Sequence, residues 1–192
     1  MKWKKAAAIL MVMAMTAGLA ACGSESSSDS GESEGGADGS GKYVIGICQQ
    51  MEHPSLDDAT AGFQDACKEL FGEDNVEFDV QNAQGEQTMC STIMNNFVSS
   101  DVDLILANAT LPLQTAAQAT ADIPILGTSV TDYGSALGID DWTGTTGVNV
   151  SGTSDLAPIA EQEDVMLELL PDVKTVGILY CSAEPNSQYQ AQ

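Results

Sequence analysis

The hydrophobic positions that follow the N-terminal segment change repeatedly from the spacing of a strand to the spacing of a helix. Residues 43–48, YVIGIC, form a short and nearly continuous apolar run, which is typical of a strand buried on both faces. Apolar residues then recur every three or four positions between Ser55 and Gly72, which predicts an amphipathic helix with Ser55 as its N-cap. The folded part therefore begins with a strand and a helix.

The same alternation continues along the chain. Alternating or continuous apolar residues predict the further strands, and apolar residues at helical spacing predict the further helices. In chain order these are a strand at 76–80, a helix at 89–98, a strand at 104–107, a helix at 112–120 and a strand at 123–128. Crossover helices between strands produce a parallel sheet, and right-handed crossovers make it doubly wound. The pattern predicts an α/β fold.

Ligands bind doubly wound sheets at the carboxyl ends of the strands, where loops and helix N-termini converge. The loops that leave the predicted strands there are 49–55, 81–86, 107–112 and 128–134. We expect the functional residues to lie in these loops.

The last part of the chain predicts the start of a second α/β unit. Residues 135–155 are rich in Gly and Thr and read as a connection out of the first lobe, 42–155. A helix from Pro158 to Leu170 and a strand at 175–180 follow, within a segment that spans 156–192. One strand and the start of a helix bury no second core, so we expect a truncated second lobe.

The N-terminus predicts export and lipid anchoring. Residues 1–21 combine a basic start, an apolar run and small residues before a cysteine, as a signal peptide does. The run LAAC ends at Cys22 and resembles the lipobox of bacterial lipoproteins, which implies diacylation of Cys22 and anchoring to the outer face of the bacterial cell membrane. Residues 22–41 are mostly Ser, Gly, Asp and Glu, and we expect a flexible acidic linker.

Charge and rare residues exclude several functions. Acidic residues outnumber basic ones 28 to 6, so repulsion from phosphate disfavours nucleic-acid binding, and we expect contact with a membrane through the anchor only. With one histidine and no C-x-x-C, a zinc site has almost no support, and no cofactor is indicated. Cys48, Cys67, Cys90 and Cys181 fit either disulfides or buried free thiols.

Several segments together resemble the substrate-binding lipoproteins of ABC transporters, in the family that includes the tryptophan- and tyrosine-binding proteins and has the type I periplasmic-binding-protein fold. The segments are EHP at 52–54, QNAQGE at 81–86, ANATLPLQTAAQAT at 107–120, SVTDY at 129–133, VNVSGTSD at 148–155 and VGILYCSAEPNS at 176–187. Their order and spacing cover nearly all of the chain after the linker.

The resemblance implies a binding function. Two hinged lobes would close on a small ligand, which is commonly an amino acid and can be an aromatic one. The protein would deliver this ligand to an ABC permease, which a separate ATPase subunit drives. We expect the ligand to bridge the two lobes and select the closed form, so that its affinity depends on differential contact with that form. The positions that match the family's ligand-facing loops are Glu52, His53, Asn108, Thr110, Thr131, Asp132, Ser154, Asp155, Glu184, Asn186 and Ser187.

The residues themselves offer what an amino-acid zwitterion needs. Helix N-termini after Pro54 and Thr110 present N–H groups and partial positive charge to a carboxylate, which matters in a chain without arginine. Asp132 or Asp155 can accept hydrogen bonds from the ammonium group. Each of these residues also fits a plain structural role, as a turn aspartate or a helix cap.

His53 raises the question of catalysis, since it is the only histidine. It lies before a proline and fits a cleft residue or a helix cap. The sequence after the predicted linker has no G-x-S-x-G nucleophile motif, so an exported α/β hydrolase or transferase is disfavoured and we predict no enzyme. A lipoprotein that senses a ligand and signals to a receptor is the alternative to transport.

Overall fold

The computed structural model describes residues 41–192. The predicted signal peptide, Cys22 and nearly all of the predicted linker therefore lie outside the described residues, and those assignments stay predictions. The described strands are β1 Tyr43–Gln49, β2 Val76–Asn82, β3 Leu104–Asn108, β4 Ile125–Val130 and β5 Val150–Ser154. The α-helices are α1 Pro54–Phe71, α2 Gln87–Ser99, α3 Thr110–Ala119, α4 Tyr133–Leu137, α5 Ile159–Leu169 and α6 Pro185–Gln190.

All five strands are parallel and lie in the order β2-β1-β3-β4-β5. The chain moves outward from β1 to β2, returns to β3 on the other side of β1, and continues outward to β4 and β5. Helix α1 packs on one face of the sheet, while α2 and α3 pack on the opposite face. The predicted doubly wound α/β fold is confirmed.

Each face of the sheet buries its own core. On the α1 face, Ile45 and Ile47 of β1 contact Cys67 of α1. On the other face, Phe97 of α2 and Leu113 of α3 cover the strands and are fully buried. The apolar stripes of the helices meet the apolar strands as the sequence predicts, because each crossover must bury one face against the sheet.

The helix boundaries differ from the prediction at the N-cap of α1. The cap is His53, whose Nδ1 accepts a hydrogen bond from the Ser55 N–H at 3.2 Å, so the prediction of Ser55 as the cap is wrong. Pro54 occupies the first helical position, which suits proline because that N–H has no partner within the helix. Gly72 ends the helix with φ of 89°, as predicted.

The last third of the chain differs more. Residues 150–154, predicted as part of a connection, form β5 and pair with β4. The predicted helix at 158–170 is confirmed as α5. The predicted strand at 175–180 is wrong for this structure, since those residues pair with no strand among residues 41–192 and Leu179 is fully exposed. A strand needs a neighbour to satisfy its backbone groups, and this segment has none.

Residues 41–192 contain neither a membrane-spanning helix nor a cluster of metal ligands. No helix there combines the length and the hydropathy that crossing a lipid bilayer requires. No group of three or more His, Cys, Asp or Glu side chains within the same range is placed to hold a metal ion.

Gly46 provides a test of the packing between β1 and α2. A Cβ at this position would lie 2.8 Å from the ring of Phe97, so we expect Gly46→Ala to lower the free energy of unfolding by about 1–3 kcal/mol. The control is Gly62→Ala in α1, where a Cβ meets no atom within 4 Å. We expect this substitution to raise the free energy of unfolding by about 0.5–1 kcal/mol, because alanine favours the helix. Urea denaturation measures both. Equal effects would contradict the packing described.

Candidate functional site

The direction in which successive strands are added to the sheet reverses between β1 and β3. After β1 the chain leaves through α1 toward β2, and after β3 it leaves through α3 toward β4, in the opposite direction along the sheet. The loops at the carboxyl ends of these two neighbouring strands therefore diverge. Such a switch point leaves a crevice, which is where α/β sheets bind ligands.

A cleft of about 320 Å³ occupies this switch point. The loop after β1 and the first turn of α1 supply Gln50, Met51, His53, Ser55 and Leu56 to its wall. The cleft is within the size range of sites for small organic ligands. We call it the switch-point cleft.

The opposite wall comes from the other strands and from the C-terminal segment. Ala109 and Thr110 follow β3, and Ser129 lies near the end of β4. Asp155 follows β5, while Glu184 and Asn186 lie at the start of α6. The switch-point cleft therefore collects residues that are far apart in sequence.

His53 has two roles in this geometry. Its Nδ1 caps α1 through the Ser55 N–H, and its side chain also lines the switch-point cleft. The sequence left a cap and a cleft residue as alternatives. The structure supports both, because the cap of α1 lies at the edge of the crevice.

The N-terminus of α3 is open toward the switch-point cleft. No side chain among the described residues caps it, and its third residue, Pro112, has no N–H. The Leu113 N–H bonds to the Ala109 carbonyl at 3.2 Å. The N–H groups of Thr110 and Leu111 precede the first intrahelical bond, so they are free to donate to a bound group.

Backbone strain is concentrated at the same place. Ala109 has φ of 100° and ψ of 170°, a conformation that glycine adopts far more readily than other residues, and Ser129 has φ of 55°. Both residues line the switch-point cleft. Such conformations cost about 1–3 kcal/mol each and persist mainly at ligand sites, where the surrounding structure enforces them.

A buried polar network holds the two walls together. Gln49 and Asn108 are paired across β1 and β3, and both are buried. The Thr60 hydroxyl donates to Gln49 Oε1 at 2.8 Å and accepts from Asn108 Nδ2 at 2.9 Å. Asn108 Nδ2 also donates to the Leu56 carbonyl at 2.8 Å. The network ties the start of α1 to both strand ends.

The electrostatics of the switch-point cleft are acidic. Asp155 and Glu184 line it, whereas none of the lysines within residues 41–192 does. The Ser187 hydroxyl donates to Glu184 Oε2 at 3.2 Å and so orients that carboxylate. The arrangement suits a ligand with a cationic group facing Asp155 and Glu184 and an anionic group facing the N–H groups of α3.

A neighbouring cavity of about 410 Å³ shares four residues with the switch-point cleft, namely Gln50, Thr110, Glu184 and Asn186. It adds Gln87 and Gln114 to the polar lining and Leu111 to the apolar lining. The two spaces are therefore adjacent. When the charged groups of a ligand lie in the switch-point cleft, its side chain has room in the neighbouring cavity.

A third cavity, of about 380 Å³, lies between α3 and α4. Its lining is mostly apolar and includes no charged side chain. It offers no charged side chain to pair with a zwitterion, so the switch-point cleft is the better candidate.

The structure brings only some of the predicted site residues together. The members that line the switch-point cleft are His53, Thr110, Asp155, Glu184 and Asn186. Glu52 is exposed and Asn108 is buried behind the wall. Ser187 contacts the cleft only through Glu184.

The remaining predicted residues form a separate cluster beyond β4. Asp132 caps α4, with its Oδ2 accepting from the N–H and the hydroxyl of Ser135 at 2.7 Å each. The Ser154 hydroxyl donates to the Thr131 carbonyl at 2.7 Å. These contacts are structural, which leaves Asp155 as the aspartate that faces the switch-point cleft.

Sequence reasoning missed several residues of the wall, although their loops were identified. Gln50 follows β1 directly and Ser129 falls in the loop predicted at 128–134, so loop position was a usable signal for both. No feature of the sequence marked Ala109 as a residue of the wall. Its strained backbone is typical of glycine, and no local pattern identifies an alanine there.

Comparison with known proteins identifies the family. The family described as ABC transporter substrate binding protein matches residues 44–192. A tyrosine-binding protein of Clostridioides difficile strain R20291 is 38% identical over 174 residues, which is 90% of this chain and 50% of that protein.

Solved structures agree. The ABC domain from Streptococcus pneumonia in complex with L-Trp superposes with a TM-score of 0.73 at 36% identity, over 78% of this chain and 51% of that one. A ligand-free, open substrate-binding protein with adhesive properties from Clostridium difficile gives 0.64 at 38% identity, over the same shares. The chain spans about half the length of these relatives.

These matches confirm the predicted fold and the prediction of a binding protein and not an enzyme. The fold is the type I periplasmic-binding-protein fold, and the matched family consists of binding proteins, not enzymes. The resemblance noted from the segments between Glu52 and Ser187 is confirmed. The chain belongs to the ABC transporter substrate-binding protein family.

Proposed function

We propose that this chain belongs to a lipid-anchored, extracytoplasmic binding component of an ABC importer, which takes up an amino acid and delivers it to the permease. The observation that carries this proposal is the charge arrangement of the switch-point cleft. The carboxylates of Asp155 and Glu184 line the same cleft as Thr110, at the open N-terminus of α3. An α-amino acid carries the complementary charges, an ammonium group and a carboxylate, on its α-carbon.

The ammonium group would donate to the carboxylates of Asp155 and Glu184. The carboxylate would accept from the N–H groups of Thr110 and Leu111 and from the Thr110 hydroxyl. Charge-assisted hydrogen bonds of this kind are about twice as strong as neutral ones. Because the sequence has no arginine, backbone donors at a helix N-terminus replace the usual guanidinium.

Related proteins support an amino acid as the ligand. One relative is named for tyrosine and one related structure contains L-Trp. The adjacent cavity lined by Leu111, Gln87 and Gln114 would receive the ligand side chain. An aromatic side chain fits that volume of about 410 Å³, and we propose an aromatic amino acid.

In the proposed cycle, a second lobe closes over the ligand and the closed form is recognised by the permease. The apolar residues of 156–180 are consistent with this role. Leu169, Ile178 and Leu179 are largely exposed in the described residues, as expected for surfaces that pack within a second lobe. Ligand that contacts both lobes would favour the closed form by the free energy of those added contacts.

The binding proposal is tested with matched ligands. We expect isothermal titration calorimetry to detect binding of tyrosine or tryptophan to the purified protein. Tyramine lacks the carboxylate and 3-(4-hydroxyphenyl)propionate lacks the ammonium, so each should bind at least about 10-fold more weakly than tyrosine. Equal affinity of all three compounds would contradict the proposed recognition of both the ammonium group and the carboxylate. If no amino acid binds, the proposed function is refuted.

Asp155 provides a second test. Replacing its carboxylate by an amide removes one charged partner of the ammonium, so we expect Asp155→Asn to weaken binding by about 10- to 100-fold. The control is Asp140→Asn, an exposed position outside the switch-point cleft that changes the net charge equally. If both variants weaken binding to the same extent, a long-range charge effect and not a contact is responsible.

Lipid anchoring is tested on the membrane-bound protein. Mass spectrometry of the mature N-terminus should find it beginning at Cys22 with a diacylglyceryl group on the sulfur. Cells that express Cys22→Ala should no longer incorporate labelled fatty acid into the protein. A mature N-terminus at another residue, or an unmodified Cys22, would refute the anchor.

A further inference from the structure

Two cysteines lie in contact inside the core, on two different elements. Cys48 of β1 and Cys90 of α2 have their Sγ atoms 3.8 Å apart, and both residues are fully buried. The other described cysteines are elsewhere. Cys67 lies on the α1 face of the sheet, and Cys181 is exposed.

The register of β1 against α2 brings this pair together. Side chains two apart on a strand share a face, so Cys48 and Gly46 both face α2. Phe97 covers Gly46, and Cys90 lies two helical turns earlier on the same stripe of α2, over Cys48. The absence of a side chain at Gly46 allows α2 to approach β1 closely, which brings the sulfur atoms into contact.

In the folded protein the two thiols differ in acidity. A hydrogen bond from the Cys48 thiol, supported by one from Thr115, lowers the pKa of Cys90 to about 7. The same pairing and burial raise the pKa of Cys48. Cys90 also lies in the first turn of α2, where the helix dipole stabilises an anion.

We propose that Cys48 and Cys90 are a site of disulfide formation that links β1 to α2. The contact distance carries the inference, since the sulfur atoms need to move together by less than 2 Å to reach the bond length of about 2.05 Å. The predicted export supports it, because disulfides persist outside the cytosol. The inference is independent of the ligand.

The reaction is thiol–disulfide exchange with a disulfide oxidant, either glutathione disulfide or a protein disulfide. The thiolate of one cysteine attacks one sulfur of the oxidant and releases the other half as a thiol, which leaves a mixed disulfide on that cysteine. The other cysteine then loses its proton and attacks the sulfur of the first, which releases the second half as a thiol. The cysteines lose two electrons and two protons, and the oxidant becomes two thiols. Because both sulfurs are buried, the exchange occurs while the chain folds.

The bond would close a large loop of the chain. Cys48 and Cys90 are 42 positions apart. The loop would contain α1, β2 and the wall residues Gln50 and His53. Cross-linking such a loop restricts the unfolded chain, so the oxidised protein should melt roughly 8–16 °C above the reduced protein.

The test is to refold the reduced protein in a glutathione redox buffer, alkylate the remaining thiols and map the disulfides after cleavage at glutamate. Cleavage at glutamate separates all four described cysteines, since Glu52 lies between Cys48 and Cys67 and four glutamates lie between Cys67 and Cys90. Trypsin is unsuitable because no lysine or arginine separates Cys48 from Cys67. We expect a linked pair of peptides containing Cys48 and Cys90.

The exposed Cys181 is the internal control, because it should take up glutathione under the same conditions. If Cys181 is modified while Cys48 and Cys90 are both alkylated, the proposal is refuted. Links from Cys48 or Cys90 to Cys67 or Cys181 as the main products would refute it too. Mapping of the unsubstituted protein needs no variant that might misfold.

Thermal unfolding gives a second readout. The melting temperature of Cys67→Ala should still rise on oxidation, whereas that of Cys48→Ala should not change with the redox buffer. An unchanged melting temperature of the unsubstituted protein on oxidation, or an equal rise in Cys48→Ala, would overturn the assignment.

Discussion

The pairing of β1 with β3 is the constraint on which the candidate site depends. These strands are neighbours, yet their crossover helices leave in opposite directions along the sheet, so a crevice must open where they end. Gln49 and Asn108 meet at the last paired position of the two strands, and Thr60 joins both to α1. Asn108 Oδ1 is buried without a hydrogen-bond partner among residues 41–192. Packing alone does not explain an unpaired buried polar atom in this network.

The chemistry of the switch-point cleft follows from composition as much as from geometry. The chain has no arginine, and the uncapped N-terminus of α3, beside the strained backbone of Ala109, offers N–H groups to an anion instead. The excess of acidic residues makes carboxylates available for a cation, and Asp155 and Glu184 are the ones that reach the crevice. Cys48 lies on β1, two residues before the wall residue Gln50, and contacts Cys90 of α2.

The errors of the sequence prediction have a common origin. β5 was missed because its residues 150–154 are small and polar, and only its pairing with β4 makes them a strand. Residues 175–180 have the apolar pattern of a buried strand, but they find no partner strand in the described residues. Asp132 and Asp155 are alike in sequence, yet the first is engaged in capping α4 and the second faces the switch-point cleft. The two strand assignments and the position of Asp155 depend on contacts between segments distant in sequence, whereas Asp132 is engaged by a local contact with Ser135.

The sequence by itself determined the alternation of strands and helices, the parallel sheet and the loops that carry the site, because hydrophobic spacing records which face of each element is buried. It also contained the segments that resemble the family. Only the tertiary structure decided which loop residues share the switch-point cleft, that His53 both caps α1 and lines the wall, and that Cys48 contacts Cys90. The physical reason is that spacing is a local property, whereas strand order and helix docking join residues more than 40 positions apart.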